Sequence, residues 1–421
     1  MAEFKMSLDE VSALFKIKYE KLSENVYNSA NVLLGRVKKS YNFTGKQLSI
    51  AIPQSFAGGV GSGELPTANT AIYGDAQIKA KKMYAVVEID RETIKASLSD
   101  EGAFVRATKE VVQKGVESFM RNLSRALFND GTGMLGVVKS TSRQGAGGSL
   151  STGAALEIED FKEANFEERD LVDLIQKHDT TGVLSVKKAG LEIDKVDVDA
   201  GTIELVSVPS DQPDAGQTLY GFAMQKSLNN DPSGLKGILD KEQDSSGTIE
   251  NYGIKVGRRW SSTKSVQNGT VDISTDLLNE VMLKIKKSCG KSPNLIVCSY
   301  KQYEKILKIL ENKVQFKVET RAKVQSLNGA LSFSGIQFMS IDGPVCIFPE
   351  RFVEDDRIYL LNDAHIHIHH RPDFGWFDDD GTIFLRKADS DAYEARYGGY
   401  LQCYINPNFH GVISGLSVAD A

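Results

Sequence analysis

The stretch EGAFVRATKEVVQKGVESFMRNLSRALFNDGTG, residues 101–133, carries the clearest structural signal in the chain. Its apolar residues recur with a period of 3.6, which predicts an amphipathic helix over 101–128. Asp100 can cap the first turn, and Asn129–Asp130–Gly131 ends the helix. At 1.5 Å per residue such a helix is about 40 Å long, so we expect it to span a domain.

The first residues of the chain predict a short helix that needs a second surface. Ser7 and Glu10 have the capping-box spacing, which places a helix start at residue 7. An isolated short helix is marginal in water, so we expect this arm to lie on another surface. Its apolar residues form one narrow stripe on an otherwise charged segment: Leu8, Val11, Phe15 and Leu22.

A two-stranded projection is predicted between this arm and the long helix. Residues 47–52 (QLSIAI) and 77–89 (QIKAKKMYAVVEI) have the composition of two long strands. The glycine-rich stretch FAGGVGSG between them contains Gly58 and Gly59. Two strands with little core between them are marginal as a free unit, so the projection also requires a neighbour.

Beyond the long helix the sequence predicts an inserted β-domain. A Ser/Gly/Thr-rich stretch at 140–153 is followed by short β-like segments at 183–187, 195–198 and 202–208, separated by turn residues. This pattern favours a small β-barrel or sandwich.

The next region predicts alternating helices and strands. Ser274 and Gly290 mark the two ends of a helix, and an apolar strand follows at 295–298. Ser299 and Gln302 have the capping-box spacing before a second helix. After residue 335 the chain is rich in strands.

Composition excludes several classes of protein. Among 421 residues, 50 Lys plus Arg against 56 Asp plus Glu give a net charge of −6, which argues against binding nucleic acid through bulk positive charge. No apolar run approaches the roughly 18 residues of a membrane helix, and we expect no signal peptide at the N-terminus. The four cysteines have no C-x-x-C or zinc-type spacing, which suits a reducing cytoplasm.

Motifs for chemistry are incomplete. The glycine-rich stretch has Glu64 where a phosphate-binding loop needs lysine, and residues 378–381 (DDDG) fit an Asp–Gly hairpin better than a calcium loop. His365, His367 and His369 alternate along a predicted strand, so they are expected to share one face and could bind a metal if another ligand joined them. No residue is predicted to be catalytic, and no cofactor is implied.

Six strings occur along the chain in a fixed order. They are SANVLLGRVKKSYNFTGKQ (29–47), SFAGGVGSGELPTANTAIY (55–73), MYAVVEIDRETIKAS (83–97), the long-helix stretch (101–133), GLKGIL (234–239) and RPDFGWFDDDGTIFLRKADSDAYEARYGGY (371–400). Together they resemble the major capsid proteins of tailed bacteriophages. The resemblance implies an α+β fold of the Hong Kong 97 type, with a small β-barrel or sandwich inserted.

The resemblance also implies a division of the chain. It assigns residues 1–40 to an N-arm, 41–92 to an E-loop and 93–138 to the part of the P-domain that holds the long spine helix. Residues 139–230 are the inserted β-domain and 231–335 the A-domain, while 336–421 return through the P-domain to the A-domain. The residues expected at contacts between subunits are Leu8, Val11, Phe15, Gly58, Gly59, Lys79 and Lys81.

The function implied is that of a head protein. It would self-assemble in the host bacterial cytoplasm into hexamers and pentamers of an icosahedral virion shell, around double-stranded DNA that it does not read by sequence. A scaffolding protein, a portal and a decoration or cement protein are the implied partners, and no membrane is involved. Two alternatives remain: an encapsulin-type nanocompartment shell, and a metal-binding protein that uses the His365, His367 and His369 strand.

Overall fold

A computed structural model of the chain describes most of its residues. The described residues are 32–40, 43, 45–53, 73–90, 101–144, 149–150, 155–207, 213–242, 248–311, 322–326, 329–333, 336–340, 343–377, 383, 385–387 and 390–419. Four predictions lie outside them: the N-terminal helix with Leu8, Val11 and Phe15, the glycine-rich tip with Gly58 and Gly59, the Asp100 cap, and the Asp–Gly hairpin at 378–381.

The described residues form α-helices, short 3₁₀ turns and strands. The helices are α1 (Val32–Arg36), α2 (Glu101–Phe128), α3 (Leu235–Leu239), α4 (Thr275–Cys289) and α5 (Tyr300–Glu311), and the 3₁₀ turns are Ser140–Ser142, Glu163–Asn165, Asp363–His365 and Pro407–Phe409. The strands of the first half are β1 (Lys38–Ser40), β2 (Gln47–Pro53), β3 (Tyr73–Lys79), β4 (Lys81–Asp90), β5 (Met134–Val138), β6 (Arg143–Gln144), β7 (Ser149–Leu150), β8 (Leu156–Glu159), β9 (Leu171–His178), β10 (Leu184–Asp197) and β11 (Thr202–Leu205). Those of the second half are β12 (Gln217–Met224), β13 (Glu250–Asn251), β14 (Ile254–Lys255), β15 (Thr263–Val271), β16 (Leu295–Cys298), β17 (Ala322–Ser326), β18 (Gly329–Phe333), β19 (Ile336–Ser340), β20 (Gly343–Pro349), β21 (Ile358–Leu361), β22 (Ile366–Trp376), β23 (Leu385–Arg386), β24 (Ala392–Ile405) and β25 (Gly411–Leu416).

Helix α2 has the predicted bounds and packs on the largest core. The apolar residues of its second half, among them Phe119, Leu123 and Leu127, are fully buried, as the 3.6 period requires. They lie against a sheet with the strand order β1-β22-β24-β23, in which β4 also pairs with β24. The ring of Phe119 is 5.2 Å from that of Tyr397 and 5.4 Å from that of Phe374. We call this five-stranded sheet the spine sheet.

The inserted β-domain is a closed barrel with the order β10-β11-β8-β5-β12-β9 and its own apolar core. Its first strand, β5, begins at Met134, ahead of the Ser/Gly/Thr-rich stretch where the sequence places the insert. The two short strands predicted at 183–187 and 195–198 are one strand, β10, whose register shifts twice against β9. These bulges bend one long strand around the barrel. The turn-forming residues within it, such as Gly190, led to the prediction of two separate strands.

A third unit is a six-stranded sheet, ordered β15-β25-β21-β16-β20-β19, with α4 and α5 packed on it. The predicted ends of α4 are confirmed: the Ser274 hydroxyl accepts from Leu277 N–H at 3.1 Å, and Gly290 has a φ of 76°, the left-handed turn that glycine favours. At α5 only half of the capping box forms. The Ser299 hydroxyl accepts from Gln302 N–H at 3.2 Å, but the Gln302 amide donates to the carbonyls of Asp355 and Ser417 and so ties down the C-terminal segment.

Candidate assembly surface

The projecting hairpin consists of β2 and β3, and its apolar face lies on the chain's own core. The strands pair from Gln47↔Lys79 to Pro53↔Tyr73, so alternate residues point to opposite faces. Ala76 and Ile78 are fully buried in a cluster with Ile254, Trp260 and Tyr404. The expectation that the whole projection lacks an apolar surface within its own subunit is therefore wrong for this part. The sequence did not show that β13, β14 and Trp260 supply that surface.

The predicted strand at 77–89 is divided between two sheets. Residues 77–79 end β3, whereas 81–90 form β4, which pairs with β24 from Lys81↔Leu401 to Asp90↔Ala392. Of the two contact residues that lie within the described chain, Lys79 is exposed on the hairpin. Lys81 instead donates from its Nζ to the Asn229 carbonyl at 2.8 Å, within the same subunit. The structure does not bring these two lysines together at one surface of the hairpin.

The spine sheet has one face packed on α2 and one face that is only half covered. Val87 of β4 meets Gly115 of α2, so the alternate residues Tyr84 and Val86 point away from the helix. On β24, Tyr397 faces Phe119 of α2, so Tyr400 and Tyr404 point away from it. Tyr404 is covered by the buried cluster under the hairpin, which includes Ile78 and Trp260. Tyr400, in the uncovered part, lies four residues away along β24, which is about 13 Å.

The uncovered part is apolar and aromatic. Tyr84 is 43% exposed and Val86 59% exposed. The Tyr84 ring lies 5.7 Å from that of Phe377, which lies 6.5 Å from that of Tyr400. We call these four residues, Tyr84, Val86, Phe377 and Tyr400, the open patch. Exposed apolar groups gathered in this way mark interaction sites more often than scattered ones do.

Charged pairs surround the open patch. Lys387 Nζ is 2.7 Å from Glu88 Oε2, and Arg396 pairs with Glu394 at 2.5 Å. Lys82 Nζ stands 6.0 Å from the centre of the Tyr400 ring. Burial, followed by the neighbouring Tyr400 hydroxyl, raises the pKa of Tyr84, so this phenol is uncharged at neutral pH. An apolar centre with a polar rim is the arrangement of a protein contact surface.

The sequence contains a signal for this surface, although none of the predicted contact residues lies on it. In KKMYAVVEID (81–90) the residues are apolar on both faces: Met83, Ala85 and Val87 on one, Tyr84 and Val86 on the other. A strand that covers a core on one side and faces water on the other shows clean alternation instead. Apolar residues on both faces indicate that both faces have contacts.

Buried ion pairs join the barrel to the rest of the chain. Arg125 of α2, 3% exposed, pairs with Asp231 at 3.1 Å, where the chain leaves the barrel. On the other side, the barrel residue Lys162 lies 3.7 Å from Glu354, which also pairs with Lys236 and Arg357. Burial alone would raise the pKa of Glu354, but these three cations lower it to about 2. The Glu354 carboxylate is therefore charged at neutral pH.

The three strand histidines only partly match the predicted arrangement. His367 and His369 share the outer face of β22, with rings 6.0 Å apart. His365 instead lies in the preceding 3₁₀ turn, where its ring stacks on Phe409 at 3.6 Å. Among the described residues, no group of three or more His, Cys, Asp or Glu could hold a metal ion. The metal-binding alternative therefore has no support from this strand.

The helices of the described chain include none that is long and apolar enough to cross a membrane. The main structural features of the described chain are the helix α2 on the spine sheet, the hairpin of β2 and β3, the inserted barrel, and the open patch beside the hairpin.

Comparison with known proteins gives a match to a family model and a similarity to solved structures. Residues 217–417 match the model of a family described as SU10 major capsid protein. The solved capsid asymmetric unit of cyanophage A-1(L) is similar to this chain with a TM-score of 0.50 and 13% identity, over 91% of this chain and 92% of that one. This similarity confirms the Hong Kong 97-type α+β fold.

Two further solved structures were matched, and no curated protein matches the sequence. The procapsid of satellite phage P4 with its size determination protein Sid has a TM-score of 0.44 and 10% identity, over 98% of this chain and 97% of that one. The holo-SrpI encapsulin complex of Synechococcus elongatus PCC 7942 has a TM-score of 0.45 and 8% identity, over 92% and 88%.

Proposed function

We propose that this chain, a phage major capsid protein whose residues 217–417 match the SU10 capsid family, assembles into the hexamers and pentamers of an icosahedral head. The head would enclose double-stranded DNA without reading its sequence, in keeping with the net charge of −6. The single observation that carries the proposal is the family match, since it falls on the six-stranded sheet and the returning strands of the spine sheet.

We assign the parts of the chain by their structural roles. Residues 1–40 act as an N-arm, whose β1 joins the edge of the spine sheet, and 41–92 as an E-loop, whose hairpin reaches the next subunit and whose β4 returns to the spine sheet. Helix α2 and the spine sheet form the P-domain, and the six-stranded sheet with α4 and α5 forms the A-domain around the five-fold and six-fold axes. The barrel is the inserted domain, which was predicted at 139–230 but includes β5 from Met134, and it decorates or braces the shell.

The contact that we propose is head-to-tail. The hairpin of one copy continues past its own core and covers the open patch of the next copy, which lies beside that copy's own hairpin. Such a contact uses two different surfaces, so it closes into a ring when the rotation from one copy to the next is a whole fraction of a full turn, as at a five-fold or six-fold axis. Val86 is 59% exposed, so covering it contributes roughly 1–2 kcal/mol per copy, and a ring repeats that contribution at every contact.

Partners of the assembled protein follow from this role. We expect a scaffolding protein during assembly, a portal at one vertex, and a decoration or cement protein on the outside. Assembly takes place in the host bacterial cytoplasm. The chain itself supplies surfaces and no catalytic group.

The test compares two exposed valines. Val86→Glu places a charge in the open patch, whereas Val183→Glu places it on the barrel, where Val183 is 62% exposed. Both variants should fold, as circular dichroism can show. We expect electron microscopy to show shells for wild type and Val183→Glu and none for Val86→Glu. Shells from Val86→Glu, or loss of shells in both variants, would contradict the proposed contact.

The contents of native particles separate a phage head from an encapsulin-type compartment. Particles isolated from producing cells should contain double-stranded DNA that resists nuclease until the shell is opened. Particles that hold a packaged enzyme and no DNA would overturn the phage assignment in favour of the compartment.

A further inference from the structure

Five of the six histidines in the chain meet at one place, where β22 begins. His365 lies in the turn before the strand, and its Nε2 is 3.3 Å from Lys291 Nζ. His367, His369 and His370 follow on β22, and His410 lies in the core beside the turn, where its Nδ1 accepts from Asn362 N–H at 3.2 Å. None of these contacts is used by the assembly surface described above.

His369 is the most enclosed member of the outer face. It is 5% exposed, and among the described residues neither of its ring nitrogens has a hydrogen-bond partner. The rings of Phe43 and Tyr404 lie 6.3 Å and 6.2 Å from the His369 ring. A neutral imidazole fits such an aromatic enclosure, and an imidazolium does not, because a buried charge without a partner is strongly unfavourable.

The short strand β1 is what closes this site on one side. It lies at the edge of the spine sheet and pairs in parallel with β22 through only three residues, in the register Lys38↔His367, Lys39↔Ile368 and Ser40↔His369. Paired residues in neighbouring strands point to the same face, so the Lys38 ammonium is on the side of His367. Strand β1 also connects α1, whose Leu33 and Leu34 are fully buried, to the hairpin strand β2.

We propose that His367 and His369 form an acid-sensitive latch, which holds β1 on the spine sheet while the imidazoles are neutral and releases it when they are protonated. Release exposes His369 to water and moves Lys38 away from His367. Because β1 leads directly into the hairpin, the latch would control how freely the hairpin moves. That last consequence, unlike the latch itself, depends on the proposed function.

The groups around the latch are mostly basic or neutral. Among the described side chains, Asp363 supplies a carboxylate in the turn before β22, and it already pairs with Arg36 at 3.3 Å and accepts from the Asn294 amide. Protonated histidines would therefore face like charges. The described groups packed around His367 and His369 are Lys38, Lys39 and Ser40 on β1, Phe43 after it, Gln402 and Tyr404 on β24, His370 and Arg371 on β22, and His365 with its neighbours Lys291, Phe409 and His410.

The direction of the pH effect follows from the pKa values. Burial, followed by His367 and His370, lowers the pKa of His369 from 6.5 to about 4, and burial together with Lys38 lowers the pKa of His367. The released state has the ordinary pKa, so it binds protons first. The closed state is therefore favoured above pH 6.5 and loses stability as the pH falls toward 4. At about pH 4.5, His369 alone shifts the equilibrium toward release by on the order of 100-fold.

Hydrogen–deuterium exchange of the full-length chain tests the latch. After correction for intrinsic exchange rates, we expect the segment 37–43 to lose protection on the order of 100-fold between about pH 7 and pH 4.5. The barrel segment around His178, the one histidine away from the latch, should keep its protection. Protection of 37–43 that persists until the whole core unfolds in acid would overturn the proposal.

Two variants make the test specific. His367→Gln/His369→Gln removes both titrating groups, so whatever protection 37–43 has at neutral pH should no longer change on acidification. Lys38→Gln alters an exposed side chain that cannot impair folding of the core, and it should move the loss of protection to lower pH because one repelling charge is gone. His178→Gln is the matched control and should behave like wild type. The latch would be contradicted if the pH at which 37–43 loses half of its protection from exchange were the same in wild type, the double variant and Lys38→Gln.

Discussion

The buried pair of Arg125 and Asp231 provides the sharpest prediction about stability. Asp231→Ala leaves the Arg125 guanidinium, which is 3% exposed, without its carboxylate. It also removes the acceptor of the Ser227 hydroxyl. Removing one partner of a buried pair typically costs about 3–5 kcal/mol, since the remaining charge is left desolvated. Burial lowers the pKa of Arg125, and the neighbouring Asp231 opposes that effect by favouring the charged guanidinium.

A double-mutant cycle measures this dependence. Arg125→Met/Asp231→Ala removes both charges, so we expect it to be less destabilised than the sum of the single variants by about 2 kcal/mol. Urea unfolding followed by fluorescence is suitable because Trp260 and Trp376 both lie outside the barrel, in the cores of the sheet and hairpin. The measurement is made below the concentration at which particles scatter light.

An exposed pair supplies the control. Lys284 and Glu280 are spaced i,i+4 on α4, with side chains 51% and 57% exposed. Glu280→Ala should cost less than about 0.5 kcal/mol. If Asp231→Ala is as mild as Glu280→Ala, or if the effects of Arg125→Met and Asp231→Ala simply add, then the pair does not hold the barrel exit on α2 and this reasoning is wrong.

Two further predictions concern the contacts that join the barrel to the rest of the chain. A Cβ at Gly234 would lie 2.3 Å from the Ala126 carbonyl oxygen and 2.5 Å from that of Asn129. Gly234→Ala should therefore destabilise the core by about 1–3 kcal/mol, as measured by thermal unfolding. A Cβ at Gly257 would have nothing within 4 Å, so Gly257→Ala is the control and should leave the stability unchanged. The pKa of Glu354 is lowered to about 2 from 4.5, so the stabilisation from its charged form is complete above pH 4.5 and is lost as the pH falls to about 2. At neutral pH the free energy of unfolding of Glu354→Gln should therefore be lower than that of wild type by roughly 3 kcal/mol. Below pH 4.5 the variant should lose correspondingly less stability than wild type as the pH falls. If the stability of the two proteins depends on pH in the same way, the Glu354 ion network is contradicted.

Local signals in the sequence were sufficient for several elements. The 3.6 period over 101–128 predicted α2 to the residue, because a long amphipathic pattern has no other regular solution. Ser274 and Gly290 predicted the ends of α4 because caps satisfy backbone groups that the helix itself leaves unpaired. The ordered strings predicted the fold class, and the capsid family that they resemble agrees with the family model that matches residues 217–417.

Non-local packing was not predictable from a single sequence. Nothing near residue 77 shows that the strand breaks at Ala80 and changes sheets, since the break depends on pairing with β24, about 300 residues later. For the same reason, the cover that Ile254 and Trp260 provide for the hairpin was missed. The Arg125–Asp231 pair joins positions 106 residues apart, and only the folded chain brings them together.

The central claim is that copies of this chain cover each other's exposed surface in a closed shell. Cryo-electron microscopy of particles formed by the wild-type, full-length chain tests it most directly. We predict closed shells with five-fold and six-fold rings in which a neighbouring copy's hairpin covers Tyr84 and Val86. Shells in which this patch faces solvent would contradict the proposed contact, and a chain that stays monomeric at every concentration would contradict assembly itself.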